Sequence, residues 1–174
     1  FGHFTVDRNG LKCACGRRGC LNTIVTPGAI ERKTREALAN LRDGQGSLIL
    51  DMAYGHMDRV NIYTIIDAAE NGDALAVNIL KMAARCLAAA IVNITCLVCP
   101  EAIILDGKLL RNSHTFLEEL RGQVQRESAL LSGNPIPIRL SSLGKHLCAI
   151  GVASMILNQF IENGGDALSL RAAM

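Results

Sequence analysis

One imidazole and three thiols crowd the beginning of this chain: His3, Cys13, Cys15 and Cys20 form the pattern H-x9-C-x-C-x4-C. The pattern limits how the first residues can fold, because the backbone must return several times to one point if these side chains meet. Asn9-Gly10 supplies a turn, and Gly16 and Gly19 bracket Arg17-Arg18 so that the chain can reverse without Cβ conflict. Cys13 and Cys15 alternate about Ala14, so a bent backbone is needed to point both sulfurs inward. Borderline-soft Zn²⁺ takes three thiolates and one imidazole in a tetrahedron, which leaves no open position for water and makes a structural role the expectation. A Cys13–Cys15 or Cys15–Cys20 disulfide and free surface thiols are the alternatives. The first would close a very small loop, and a reducing compartment disfavours either bridge. The spacing matches neither a two-Cys, two-His finger nor a zinc ribbon.

Charge supports the same focus. Arg8, Lys12, Arg17 and Arg18 face Asp7 alone within residues 1–22, whereas the whole chain carries a net charge of only +2. Such a patch attracts phosphate or nucleic acid, or partly offsets thiolate charge. The absence of Trp and the presence of only two Tyr argue against a stacking surface for bases. Seven cysteines are an odd number, and Cys86, Cys96, Cys99 and Cys148 sit in apolar segments. With no signal segment visible, reduced thiols and a cytoplasmic location are expected, with no membrane partner. The near-apolar run over 74–98 is interrupted by Lys81 and Arg85 and reads as a buried helix rather than a membrane span. A chain opening on Phe1 with no initiator Met is expected to be a fragment.

Along the rest of the chain, Thr26-Pro27 predicts a cap and first helical residue, followed by Ile30, Thr34, Leu38 and Leu41 at helical spacing and a stop near 43–46. LILDMAYGH is ambiguous. Helices are predicted over 61–70 and 74–95, the second capped by Asp73 and rich in alanine for close packing. AIILD at 102–106 reads as a buried strand. A helix follows from Asn112 or Ser113, with Phe116, Leu117, Leu120, Val124 and Leu131 on one side, then PIPIRL as a second strand and a final apolar helix over GKHLCAIGVASMILNQFIE. Two strands make a poor sheet, so HFTV at 3–6 or chain upstream is expected to add to it. The organisation expected is a metal-binding loop with a short strand at 1–26, a helical α/β lobe at 27–162 and a tail at 163–174.

The stretch GHFTVDRNGLKCACGRRGC resembles the signature of the ROK family, the repressors, open reading frames and kinases of bacterial sugar metabolism. The likeness continues through TPGAI and the long helix and strand to AIGVAS. It implies an α/β chain forming the C-terminal lobe of an actin-like ATPase (ribonuclease H-like) fold, truncated at its N-terminus. It also implies structural zinc on His3, Cys13, Cys15 and Cys20, with His3 touching sugar hydroxyls. Where the family's kinases carry a sugar-binding Glu two residues after the last Cys, this chain has Asn22. Where they carry Gly-Gly against the nucleotide, it has Asp106-Gly107. An amide accepts through one oxygen and donates through nitrogen, so sugar selection is expected to weaken or change. Asp106 is expected to repel an anionic nucleotide. The kinases' catalytic Asp and first phosphate loop would lie upstream, so no phosphoryl transfer is expected from these residues.

These features favour the effector-binding, dimer-forming portion of a sugar-responsive repressor, closest in character to the family's transcriptional regulators. Its expected partners are a sugar or sugar phosphate, a second copy or more of itself, and DNA only through an upstream helix-turn-helix. The alternative is the C-terminal half of an ATP-dependent sugar kinase. His56, His114 and His146 are isolated, and Cys96-x2-Cys99 is read as two buried or half-buried thiols rather than a redox pair.

Overall fold

A 25-residue helix organises the chain. In the computed structural model, which describes residues 1–41, 46–132 and 135–162 and only the backbone of Ser132 and Lys145, α5 runs Ala74–Val98. Around it lie α1 (Asn22–Val25), α2 (Pro27–Ala39), α4 (Ile62–Glu70) and α7 (His114–Ser132), while α3 (Leu48–Met52) packs on α4. Alanines at 76, 83, 84, 88 and 90 are buried, and their small side chains let neighbouring helices approach α5 closely while Ile79, Leu80 and Ile91 fill the gaps. From α7, Phe116, Leu120 and Val124 are buried at helical spacing, each stabilising the core by about 1.5–3 kcal/mol. Arg85 Nε donates to Glu119 Oε1 at 2.6 Å and adds a polar link between α5 and α7. By length and composition α5 could cross a membrane, but half of its most apolar window is buried inside this chain, as a core helix requires.

Two carboxylates set how the helices begin. Asp73, only 8% exposed, accepts from Ala76 N at 2.8 Å as the N-cap of α5, and also from Ser47 Oγ at 2.7 Å and Leu48 N at 2.8 Å. One side chain therefore satisfies donors at the starts of both α3 and α5. Glu70, the last residue of α4, accepts from Ser113 Oγ at 3.1 Å and Thr115 N at 3.0 Å, and so closes the start of α7. Burial pushes its carboxyl up, but those donors and the nearby His114 outweigh that, and the group sits below the ordinary carboxylate range. The Glu31–Arg35 turn of α2 holds the segment before α4. Glu31 Oε1 accepts from Ile62 N, and Arg35 donates to the carbonyls of Met57 and Val60 at 3.2 and 2.6 Å.

After α5 the chain passes Pro100 into β1 (Ile103–Leu105), which pairs with β2 (Ile138–Leu140) in a two-stranded sheet. Ile103 N also donates to Pro137 O at 3.0 Å, which is where the two prolines before β2 leave an acceptor. α6 (Lys108–Asn112) leads from β1 to α7. Contacts divide the chain into two compact units, Phe1–Arg139 and Leu140–Met174, and the second contains the apolar helix α8 (Leu147–Glu162).

Several expectations change. α5 extends three residues beyond the predicted end, and LILDM is helical. Residues 3–6 do not join the sheet; Thr5 instead makes an isolated antiparallel bridge with Cys20. β1 is not fully buried, since Ile104 is 69% exposed, and Leu131 is exposed near the end of α7. Cys96, Cys99 and Cys148 are exposed as well, and Cys86 is intermediate. Periodicity marked their segments as apolar without revealing which sides would be covered. The predicted stop near 43–46 and the tail at 163–174 fall almost entirely outside the described residues.

Replacing Asp73 with Ala leaves buried donors at two helix starts, and a loss of about 2–4 kcal/mol in urea denaturation is expected. Asp73→Asn retains one acceptor oxygen and loses less. For Glu70, a folded pKa below the unfolded one means stability that is present above the unfolded pKa and is lost as pH falls through the folded value. Glu70→Gln is therefore expected to cost about 0.5–1 kcal/mol at neutral pH, discounted because the residue is exposed. The difference from wild type disappears once pH falls below the ordinary carboxylate range.

Candidate functional site

Residues 1–21 fold as tight turns around the four sequence-predicted ligands. Val6 N and Asp7 N both donate to Gly19 O, Gly19 N donates to Leu11 O, and Cys13 N donates to Arg17 O at 2.7 Å. Gly19 adopts φ +63°, and a Cβ there would fall on the Asp7 carbonyl, so glycine is required both by conformation and by space. The antiparallel bridges Thr5–Cys20 and Lys12–Arg18 complete the return of the chain.

These turns bring His3, Cys13, Cys15 and Cys20 together, with one ligand atom from each lying within 4.8 Å of all the others. Cys13 Sγ stands 3.6 Å from His3 Nδ1, and Cys15 Sγ stands 3.5 Å from Cys20 Sγ. Cys13 and Cys20 are buried, whereas His3 and Cys15 are exposed, so the cluster sits at the surface with two ligands rooted inside. The Arg17 backbone N–H holds the Cys15 thiol down, to about 6, with help from the Arg17 guanidinium and the neighbouring thiols. Burial and the shared hydrogen bonds with Cys15 and Cys13 push Cys20 up, to about 11. One thiolate forms readily and the cation beside it is Arg17, so the group could hold a metal ion. Lowering of a thiol by an N–H and a guanidinium is the electrostatic setting in which thiolate ligation occurs.

Asn22 begins α1 directly after the cluster. Its N–H donates to Gly2 O at 2.8 Å, and its side-chain amide lies over Gly2, where any Cβ would collide with it. The structure thus places Asn22 against the Gly2–His3 segment. At the other end of α1, Val25, Thr26 and Pro27 wall a cavity of about 330 Å³ that is closed on its far side by Asp106, Gly107 and Phe116. Gly107 has φ +152° as the chain turns from β1 into α6.

Asp106, expected to repel an anionic nucleotide, does not stand as an isolated charge. Arg111 Nε donates to Asp106 Oδ1 at 2.8 Å and a second guanidinium nitrogen reaches the same oxygen, so the carboxylate's charge is offset in place. Sequence reasoning missed Arg111. A signal existed, because an Asp before a short helix and an Arg in its last turn are within reach of each other. Leu21 was missed too: buried between the cluster and α1, it donates its N–H to Phe4 O at 2.8 Å and fastens the loop to the helices. His56, His114 and His146 do not join the cluster.

Comparison with known proteins matches the ROK family over residues 1–159. The xylose repressor of Bacillus spizizenii is 28% identical over 163 residues, covering 92% of this chain and 37% of the relative. The glucokinase of Halalkalibacterium halodurans is 26% identical over 168 residues, covering 95% of this chain and 50% of the relative. Among solved structures, a ROK family glucokinase from Streptomyces griseus in complex with glucose and AMPPNP superposes with a TM-score of 0.76 at 26% identity, over 89% of this chain and 50% of that one. The chain spans half or less of the length of these relatives. On the match across residues 1–159 and the superposition together, this chain belongs to the ROK family and has the α/β architecture of its actin-like ATPase fold.

Proposed function

We propose that this chain is the effector-binding and self-associating portion of a sugar-responsive transcriptional regulator, held at its start by structural zinc. The observation that carries the regulatory reading is Asn22, standing beside Gly2–His3 where the family's kinases present a carboxylate to the sugar. An amide offers one acceptor oxygen and no charge, which suits reversible sensing better than tight positioning for phosphoryl transfer. The likeness to a xylose repressor over 92% of the chain supports the same reading. Sugar or sugar phosphate binding would bias a conformational equilibrium, and an attached DNA-binding domain would read it out. The cytoplasm follows as the compartment.

Zinc is supported by distance. With Zn–S near 2.3 Å and Zn–N near 2.0–2.1 Å, a tetrahedron has an S–N edge of about 3.6 Å and an S–S edge of about 3.8 Å. The Cys13–His3 and Cys15–Cys20 separations are 3.6 and 3.5 Å. His3, Cys13, Cys15 and Cys20 would hold the ion, and it would supply loop rigidity and a fixed wall for Asn22. The Asp106–Gly107 cavity is the second proposed contact region. With Asp106 neutralised by Arg111, nucleotide binding stays compatible with the site. That, with the likeness to glucokinases, is the observation favouring the kinase reading.

The deciding experiment measures operator binding by the intact encoded protein with and without candidate sugars, alongside ATP consumption. Release from operator by one sugar without ATP turnover is expected; sugar-dependent ATP hydrolysis with indifferent operator affinity would establish the kinase instead. Asn22→Glu is expected to tighten binding of the responsive neutral sugar about tenfold by calorimetry, the effect of one charge-assisted hydrogen bond. Elemental analysis is expected to find one zinc per chain. Its removal by chelation, or Cys13→Ser, should open Lys12, Arg17 and Arg18 to trypsin while the helical circular dichroism is retained, since the core helices are packed independently of the ion.

A further inference from the structure

The four cysteines outside the cluster are not equivalent. Cys86 lies midway along α5 at intermediate exposure, and Cys148 belongs to the second unit. Cys96 and Cys99 stand together at the end of α5, both free and both exposed, and neither thiol has a hydrogen-bond partner among the described residues. Both face a groove of about 510 Å³ walled by Pro100, Leu131 and Pro135. Cys99 is the C-cap, with φ +48° and ψ +53°, a left-handed conformation usually given to glycine. A side chain there costs on the order of 1 kcal/mol that glycine would avoid. Its N–H still donates to Thr95 O at 2.8 Å, so Cys99 closes the same turn that carries Cys96. Residues three apart on a helical turn are surface neighbours, with Cβ atoms about 5–6 Å apart. A disulfide asks for roughly 3.5–4.5 Å. Closing a disulfide therefore requires the terminal turn, whose Leu97 and Val98 are exposed, to rotate.

We propose that Cys96 and Cys99 form a reversible dithiol–disulfide modification site, with the groove admitting a low-molecular-weight disulfide. The thiolate of one cysteine attacks a sulfur of the small disulfide, forming a mixed disulfide and releasing one small thiol. The other cysteine's thiolate then attacks the protein sulfur of that bond, releasing the second small thiol and leaving Cys96–Cys99 joined. The two cysteines lose two electrons and two protons, and the small disulfide is reduced to two thiols. Closure would fix the α5 cap and the Pro100 turn that leads into β1.

The test uses the intact, zinc-loaded protein and oxidised glutathione, followed by alkylation, trypsin and mass spectrometry. Cleavage after Arg85 and Lys108 isolates Cys86, Cys96 and Cys99 from every loop cysteine. The expected product is this peptide lacking two hydrogens, with Cys86 alkylated, and it reverts with dithiothreitol. Cys96→Ser and Cys99→Ser should each accumulate on the order of tenfold more glutathione adduct on the remaining thiol, because they lose a resolving partner at millimolar effective concentration. Lasting adducts on both wild-type thiols, equal adduct levels in wild type and variants, or no reaction in this peptide would each overturn the proposal.

Discussion

The burial of α5 is the constraint on which the first unit depends. A helix of 25 residues whose alanines are closed over by α2, α4 and α7 can have only one rotation about its axis, and that rotation is set where the helix begins. Asp73 fixes that beginning through three short hydrogen bonds that also locate the start of α3. Because Glu70 lies three residues before Asp73 and closes α7, the hinge between α4 and α5 orients four helices through two carboxylates. Neither group lacks partners, and for the buried Asp73 this is the condition for a charge to hold structure rather than disrupt it. The cysteine cluster is secondary in this sense, since it lies in the loop that precedes the helices packed on α5.

That hierarchy explains what could be read from the residues. Asp73 as a cap, Thr26-Pro27 as a helix start and the Phe116–Leu120–Val124 face are local rules with one dominant solution, and the structure has all of them. The convergence of His3, Cys13, Cys15 and Cys20 was legible too, because four ligand-type side chains share a segment in which Gly10, Gly16 and Gly19 allow the backbone to reverse. What periodicity could not supply was the identity of whatever covers an apolar face. It treated Cys96, Cys99, Ile104 and Leu131 alike as inward, and all four are exposed. A hydrophobic side chain records a tendency to be buried, and whether a neighbour arrives is decided by parts of the fold distant in sequence.

Asp106 shows a different limit of reading residues singly. A charge read alone was assigned the field of an isolated carboxylate, whereas Arg111 reaches back across α6 and cancels much of it. Pairwise electrostatics depend on separations of a few ångströms, and sequence distance gives these only inside regular elements. Here the short helix α6 makes the pair geometrically simple. A charge next to a helix start should therefore be weighed against the opposite charge in that helix's last turn before it is given a role toward ligands.

Geometry also ties the two candidate contact regions together. α1 is a single turn, with Asn22 against Gly2–His3 at its start and Val25 at the wall of the Asp106–Gly107 cavity at its end. Its rise over three residues is about 4.5 Å, and a turn of helix this short cannot bend to absorb displacement at one end. Asn22 O accepts from Thr26 Oγ1 at 2.8 Å, and Thr26 in turn caps α2, so a shift of the cysteine loop is delivered to the start of a long helix packed on α5. The cysteine loop, α1 and the start of α2 are therefore joined in series by backbone and side-chain hydrogen bonds.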